Sequence, residues 1–202
     1  MADKVRVGVL ISGRGSNLEA LADYKRKADP AYDIVLVASN VPEARGLVLA
    51  CRFGLPVWAH SHKGMSRADF DDLVDAEFRR HDVEVIALAG YMRLLSPEFI
   101  VKWEGRILNI HPSLLPDYKG LDTHRRALMA GEEYAGCSVH VVTEELDDGP
   151  IIAQAKVRIA ARDTAETLAE RVLTEEHRLY PAALDAYCRK LRQFPLPFRG
   201  EG

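Results

Sequence analysis

Short apolar, β-branched runs alternate with stretches of helical periodicity along nearly the whole chain, and this alternation limits the possible folds more than any other feature. Residues 5–11 form the first such run. It ends in a glycine-rich stretch and fits a strand buried on both faces of a parallel sheet. Residues 16–27 then read as a helix with Leu18, Leu21 and Ala22 on one face. Further strands are predicted at 34–38, 56–59, 83–89 and 106–110, with helices at 43–53, 66–80 and 96–102 between them. Ser66 followed by Asp69 is a cap pattern, and Ser96-Pro97 is a helix start. A helix at 122–130 follows, then two alternating strands at 138–143 and 151–159. Residues 164–191 form a long amphipathic helix, or a pair broken or kinked at Pro181. Strands alternating with helices imply an α/β layer with a mainly parallel sheet. No low-complexity linker or internal repeat interrupts the pattern. The expectation is one domain over residues 1–202, with a loosely ordered tail after about residue 191.

Composition narrows the class. The 202 residues suit one domain, or two small ones, and can bury a core without disulfide or metal staples. Hydrophobic residues at 48% and charged residues at 28% exclude a disordered, collagenous or coiled-coil chain. A net charge of −3 gives no global basic footprint for nucleic acid, so an anionic ligand needs a local site. Cys51, Cys137 and Cys188 form no CxxC pair and no zinc-like spacing, which reads as reduced thiols in a cytoplasm. The start lacks signal-peptide regions, and no apolar run approaches about 18 residues, so neither secretion nor a membrane span is expected.

Three segments carry chemistry. Ser12-Gly13-Arg14-Gly15-Ser16-Asn17-Leu18 follows the first strand and opens a helix, whose N-terminus favours an anion. Leu18 stands where a dinucleotide fingerprint needs its third glycine, and the Walker ending is absent. A single phosphate on the N–H groups of Gly15, Ser16 and Asn17 fits, as does a plain turn capped by Ser16 or Asn17. After the fifth strand, Asn109 and His111 share one side of an extended chain and lead into Pro112-Ser113-Leu114-Leu115-Pro116. An amide that steadies an oxyanion beside an imidazole that handles a proton suits addition to a carbonyl; a rigid polar strand end is the plainer alternative. Thr143-Glu144-Glu145-Leu146-Asp147-Asp148-Gly149-Pro150 is an acidic turn between strands. One of its carboxylates can orient an imidazole, or the turn is a solvated hairpin. His140 reads equally as a neighbour of the site or a hydrogen-bonded core residue, His60-x-His62 as a surface loop, and His124 and His177 as supporting or surface residues. No metal site is expected. A Gly-x-Ser-x-Gly nucleophile elbow is absent.

In their order along the chain, these pieces resemble the folate-dependent glycinamide ribonucleotide formyltransferases of purine synthesis. The matching stretches are 11–18, Ala89-Gly90-Tyr91-Met92-Arg93-Leu94-Leu95-Ser96, 109–116 with Gly120-Leu121-Asp122-Thr123-His124, Gly136-Cys137-Ser138-Val139-His140, 147–154 and Glu175-Glu176-His177-Arg178-Leu179-Tyr180-Pro181. The resemblance implies the formyltransferase fold, a Rossmann-like sheet flanked by helices. It implies transfer of a formyl group from 10-formyltetrahydrofolate, as co-substrate, to the primary amine of glycinamide ribonucleotide, without a metal. By the same resemblance Asn109, His111 and Asp147 are the catalytic trio. Gly15, Ser16 and Asn17 bind the substrate's phosphate, and Glu176 meets its ribose. Arg67, Met92, Arg93, Leu94, Leu95, Thr143, Glu144, Glu145 and Leu146, with Asn109 and Asp147, line the folate site. Arg14 receives no role. Asp147 is expected to raise the proton affinity of His111. The resemblance also points to a cis bond at Leu115–Pro116. The partners are small molecules, in a monomer or homodimer.

Three rivals are set against this reading. A formyltetrahydrofolate deformylase would pass the formyl group to water, and such proteins resemble this chain plus a regulatory domain for which there is no room before Val5. A methionyl-tRNA formyltransferase would need a C-terminal domain and a basic surface, which the length and the charge of −3 oppose. A folate- or nucleotide-binding module without catalysis is opposed by the intact Asn109, His111 and Asp147.

Overall fold

The computed structural model of the chain describes residues 4–196. Its elements run β1 (Val5–Ile11), α1 (Ser16–Ala28), β2 (Tyr32–Ser39), α2 (Arg45–Arg52), β3 (Val57–Ala59), α3 (Arg67–Arg80) and β4 (Val85–Leu88). They continue with α4 (Pro97–Lys102), β5 (Ile107–His111), α5 (Thr123–Ala130), β6 (Tyr134–Val141), β7 (Ile151–Arg158) and α6 (Ala165–Gln193). The strands join in one sheet of order β3-β2-β1-β4-β5-β6-β7. The five strands from β3 to β5 are parallel, and β6 runs antiparallel to both β5 and β7. This is the mainly parallel α/β domain expected from the alternation.

Period-two alternation decides which side chain faces which layer. Val5, Val7, Val9 and Ile11 pack with Leu18 and Leu21 of α1 and with Leu168, Val172, Tyr180 and Leu184 of α6. Leu10, Leu36, Ile86 and Ile107 face the other way, onto Phe70, Val74 and Phe78 of α3 and onto Phe99 and Trp103. Burial on both faces explains why these strands read as continuous apolar runs.

Helix starts follow the local signals. The Ser66 hydroxyl accepts from the Asp69 N–H at 3.1 Å, and the Ser96 hydroxyl accepts from the Phe99 N–H at 3.3 Å with Pro97 in the first turn. Several boundaries differ from expectation. β6 begins at Tyr134 rather than 138, because its register with β7 continues to a Tyr134–Arg158 pair. β5 extends to His111, which pairs with Ser138. α6 runs unbroken through Pro181. Buried Tyr180, Ala183 and Leu184 hold the chain on both sides of the proline and offset its missing N–H. The helix reaches Gln193, past the expected start of a loose tail, and the Arg106 guanidinium donates to the Leu196 carbonyl. The remainder of that expectation falls on 197–202, outside the described residues. The Leu115–Pro116 peptide is cis.

The strand order reverses at β1, where β2 and β3 lie to one side and β4 and β5 to the other. Ligands of open α/β sheets bind outside the carboxyl ends of the strands at such a point. The 12–18 and 109–116 segments follow those ends, and the 143–150 loop, which leaves β6 beside the start of β5, folds back so that Asp147 reaches His111.

Candidate active site

The turn after β1 is shaped by close packing. Gly15 has φ 82°, a conformation open to glycine, and a Cβ there would lie 2.7 Å from the Gly46 Cα. Gly46 N–H donates to the Gly13 carbonyl at 3.0 Å, seating the turn on the start of α2. Gly46 was not singled out from the sequence, since nothing local marks a contact with so distant a turn. Gly15 is the N-cap of α1 and no side chain caps that helix, so neither Ser16 nor Asn17 serves as the cap a plain turn would have. The first-turn N–H groups have no intrahelical partner to satisfy them. Asn17 instead turns inward, its Nδ2 donating to Glu176 Oε2 at 2.7 Å. Burial raises the Glu176 carboxyl above its usual range, against the pull of that hydrogen bond. Ser12 ties the turn to its neighbours: its hydroxyl donates to Asn40 Oδ1 at 2.7 Å and accepts from the Met92 N–H at 2.8 Å.

At the end of β5 the polar residues converge. His111 Nδ1 lies 3.3 Å from Asp147 Oδ2, and its Nε2 lies 3.1 Å from the Tyr118 carbonyl. Both ring nitrogens therefore face acceptors, a setting that satisfies an imidazolium fully. Burial nevertheless lowers the proton affinity of His111, outweighing Tyr118 and Asp147, which both raise it. The expected upward pull from Asp147 is present, but the net direction is down. Asp147 is 9% exposed, and burial alone would raise its carboxyl. The neighbouring His140 ring, a hydrogen bond from the Gly120 N–H at 3.0 Å and the charge that His111 carries when protonated hold it below its usual range instead.

His140 completes the cluster. It pairs with Asn109 across the β5–β6 ladder, and its Nε2 lies 3.2 Å from Asn109 Nδ2 and 3.6 Å from Asp147 Oδ1. Its Nδ1 faces the Val141 carbonyl at 3.1 Å. The two readings of His140 are thus one: a buried, hydrogen-bonded histidine beside the site. The 143–150 loop reaches His111 because Asp147 takes φ 50° and Gly149 presses onto β6, where a Cβ would lie 1.8 Å from the Val141 carbonyl oxygen.

The segment after β4 is anchored on α3. Arg93 donates to the Ser66 carbonyl at 2.9 Å and lies 5.5 Å over the Phe70 ring. Buried Asp71 accepts from the Ser96 N–H at 2.6 Å, and burial raises its carboxyl. Met92 and Leu94 are exposed, whereas Leu95 packs into the core with Phe70 and Phe99. Arg67, Glu144, Glu145 and Leu146 are exposed, and Thr143 donates to the Glu145 carbonyl at 3.3 Å. The structure therefore joins Asn109, His111, Asp147 and His140 in one cluster and Asn17 with Glu176 in another. It leaves the proposed folate-lining side chains mostly open to solvent. No group of three or more His, Cys, Asp or Glu among the described residues is arranged to hold a metal.

Residues 5–184 match the formyl transferase family. The chain belongs to that family. The trifunctional purine biosynthetic protein adenosine-3 of Gallus gallus is 51% identical over 183 residues, which is 90% of this chain and 18% of that protein. The phosphoribosylglycinamide formyltransferase of Escherichia coli is 44% identical over 181 residues, 89% of this chain and 85% of that one. The chain thus spans less than a fifth of the trifunctional relatives and most of the shorter ones. The crystal structure of phosphoribosylglycinamide formyltransferase from Brucella melitensis superposes with a TM-score of 0.88 at 50% identity, covering 92% of this chain and 96% of that one. Glycinamide ribonucleotide transformylase 1 from Symbiobacterium toebii gives a TM-score of 0.91 at 41% identity, covering 94% and 90%. The family resemblance read from the ordered motifs is the one these comparisons find.

Proposed function

We propose that this formyl transferase moves the formyl group of 10-formyltetrahydrofolate onto the primary amine of glycinamide ribonucleotide, a step of purine synthesis. The observation that carries the mechanism is His111, held between Asp147 and the Tyr118 carbonyl two residues beyond Asn109. The amine nitrogen forms a bond to the formyl carbon, and the carbon–N10 bond of the folate breaks. The amine gives up one proton, and N10 gains one as tetrahydrofolate leaves. Burial keeps His111 neutral toward acidic pH, so it is available to take the amine proton. The resulting imidazolium is matched by Asp147, whose own carboxyl stays ionised. The Asn109 amide meets the oxyanion formed at the formyl oxygen. His111 Nε2 is engaged with Tyr118, so reaching the reacting atoms exchanges that contact for substrate.

The uncapped turn at Gly15, Ser16 and Asn17 would take the phosphate, with Glu176 on the ribose. Met92 to Leu95, Arg67 and the 143–147 loop would hold the folate. No covalent enzyme intermediate is required, and much of the acceleration comes from holding amine and formyl carbon together. The three free cysteines support action in a reducing cytoplasm, and no described helix is long and apolar enough to cross a membrane.

The test follows the absorbance change as 10-formyltetrahydrofolate loses its formyl group, with and without glycinamide ribonucleotide. Loss that requires the ribonucleotide is the expected result. Loss without it assigns a deformylase, and folate binding with no loss in either case overturns the mechanism.

A further inference from the structure

Helix α6 presents two buried polar groups one turn apart, Glu176 and Tyr180, toward the first turn of α1 and toward β4 and β5. Glu176 holds Asn17, just beyond β1. Tyr180 is fully buried, and its hydroxyl lies 3.0 Å from the Leu88 carbonyl and 3.0 Å from the Leu108 carbonyl. A phenol has one proton, so the two carbonyls share it. Leu88 is the last residue of β4, and Leu108 lies in β5, the strand that carries Asn109 and His111. Leu88 pairs with Asn109 in the β4–β5 register, and Leu108 immediately precedes Asn109. From Leu88 the chain continues into residues 90–95. Burial holds the Tyr180 hydroxyl far above its ordinary titration range, so it remains a donor.

We propose that Tyr180 is a positioning residue for formyl transfer: its shared hydrogen bond sets the offset of β4 against β5, and with it the place of Asn109 relative to the turn that Glu176 holds. The inference rests on the formyl-transfer reading above. Reacting atoms must come within about 3–3.5 Å, and a displacement of about 1 Å can cost roughly 100-fold in rate. Tyr180 is fully buried and presents no atom to a bound substrate, so its loss is expected to affect the turnover step and not the binding of either substrate.

A second tyrosine supplies the control. Tyr32 is also fully buried and donates to a carbonyl at 3.0 Å, but that carbonyl belongs to Leu21 of α1, and Tyr32 itself pairs with Val5 at the starts of β2 and β1. The experiment compares thermal unfolding and steady-state transfer for wild type, Tyr180→Phe and Tyr32→Phe. Both variants are expected to lower Tm. Tyr180→Phe is expected to lower kcat about 10-fold with both KM values within about twofold, and Tyr32→Phe to keep kcat. Tyr180→4-aminophenylalanine, which offers an N–H to each carbonyl, is expected to restore kcat. Wild-type kcat in Tyr180→Phe, or equal losses of kcat in both phenylalanine variants, overturns the proposal. Should Tyr180→Phe not fold, a folded 4-aminophenylalanine variant with kcat within about twofold of wild type supports it, and a 10-fold loss overturns it. Absence of ribonucleotide-dependent transfer in the wild type overturns the formyl-transfer reading itself, and the wild-type control identifies that case separately.

Discussion

Asn109 and His140 face each other across the β5–β6 ladder, with Asn109 Nδ2 3.2 Å from His140 Nε2. The Val141 carbonyl takes the Nδ1 proton of His140, which leaves Nε2 as the acceptor for the Asn109 amide. A buried imidazole on one strand thus aims the amide of the next.

Removing that acceptor frees the Asn109 amide to rotate. His140→Ala is expected to lower kcat by about 10- to 100-fold while the KM for the ribonucleotide changes by less than about twofold. Steady-state kinetics with each substrate varied in turn checks this. Unchanged kcat would leave His140 a packing residue only.

His111→Ala removes the group proposed to take the amine proton. Turnover is expected to fall at least about 100-fold. Ribonucleotide binding, measured by calorimetry, should persist, because the turn at 12–17 is built on Gly46, Asn40 and Glu176 rather than on His111. Near-wild-type turnover would remove His111 from the mechanism.

The buried carboxyl of Glu176 carries a cost in folding. At neutral pH its buried carboxylate opposes folding, since burial raises its proton affinity above that of the unfolded chain. Glu176→Gln keeps an acceptor for Asn17 Nδ2 and removes the charge. Stability is expected to rise by about 1 kcal/mol, or about 2–4 °C in Tm, while the KM for the ribonucleotide increases. The Tm difference should shrink on acidification, as wild-type Glu176 takes up its proton. A variant less stable than wild type at pH 7 would contradict this.

Burial lowers the proton affinity of His111, His124 and His177 alike. Unfolded imidazoles titrate near 6.5, so below that pH the unfolded chain binds protons that the folded chain refuses. Their contribution to stability is complete above 6.5 and is lost as the pH falls through the lower folded values. Asp147, held below the usual carboxylate range, adds a loss of the same sign at more acid pH. Glu176 and Asp71 shift the opposite way, so the histidine contribution is read as a difference: between about pH 6.5 and 5 the Tm of the wild type is expected to fall relative to that of His124→Gln, and from about pH 8 to 7 the two are expected to run parallel. A Tm difference between the two that does not change with pH would overturn the assignment.

Much of this protein could be read locally. The strand–helix order followed from the apolar periodicity, and the caps at Ser66 and Ser96 followed from short patterns. The ordered motifs pointed to the formyl transferase family, and Asn109 and His111 shared one side of an extended chain. The early start of β6 and the continuity of α6 through Pro181 were not legible, because each depends on a neighbour distant in sequence. Gly46 carried no signal, since its role is to let another turn approach its backbone.

The sequence by itself determined the α/β layering and the placing of polar residues at strand ends. Burial of apolar side chains has a period that a local run records directly. Only the tertiary structure decided that Asp147 reaches both His111 and His140, and that Asn17 meets Glu176 across 159 residues. Such contacts depend on strand register and on the φ of single loop residues, and are formed by groups that have no common local pattern. The net direction of the His111 shift was settled there as well, because the depth of burial outweighs the carboxylate beside it.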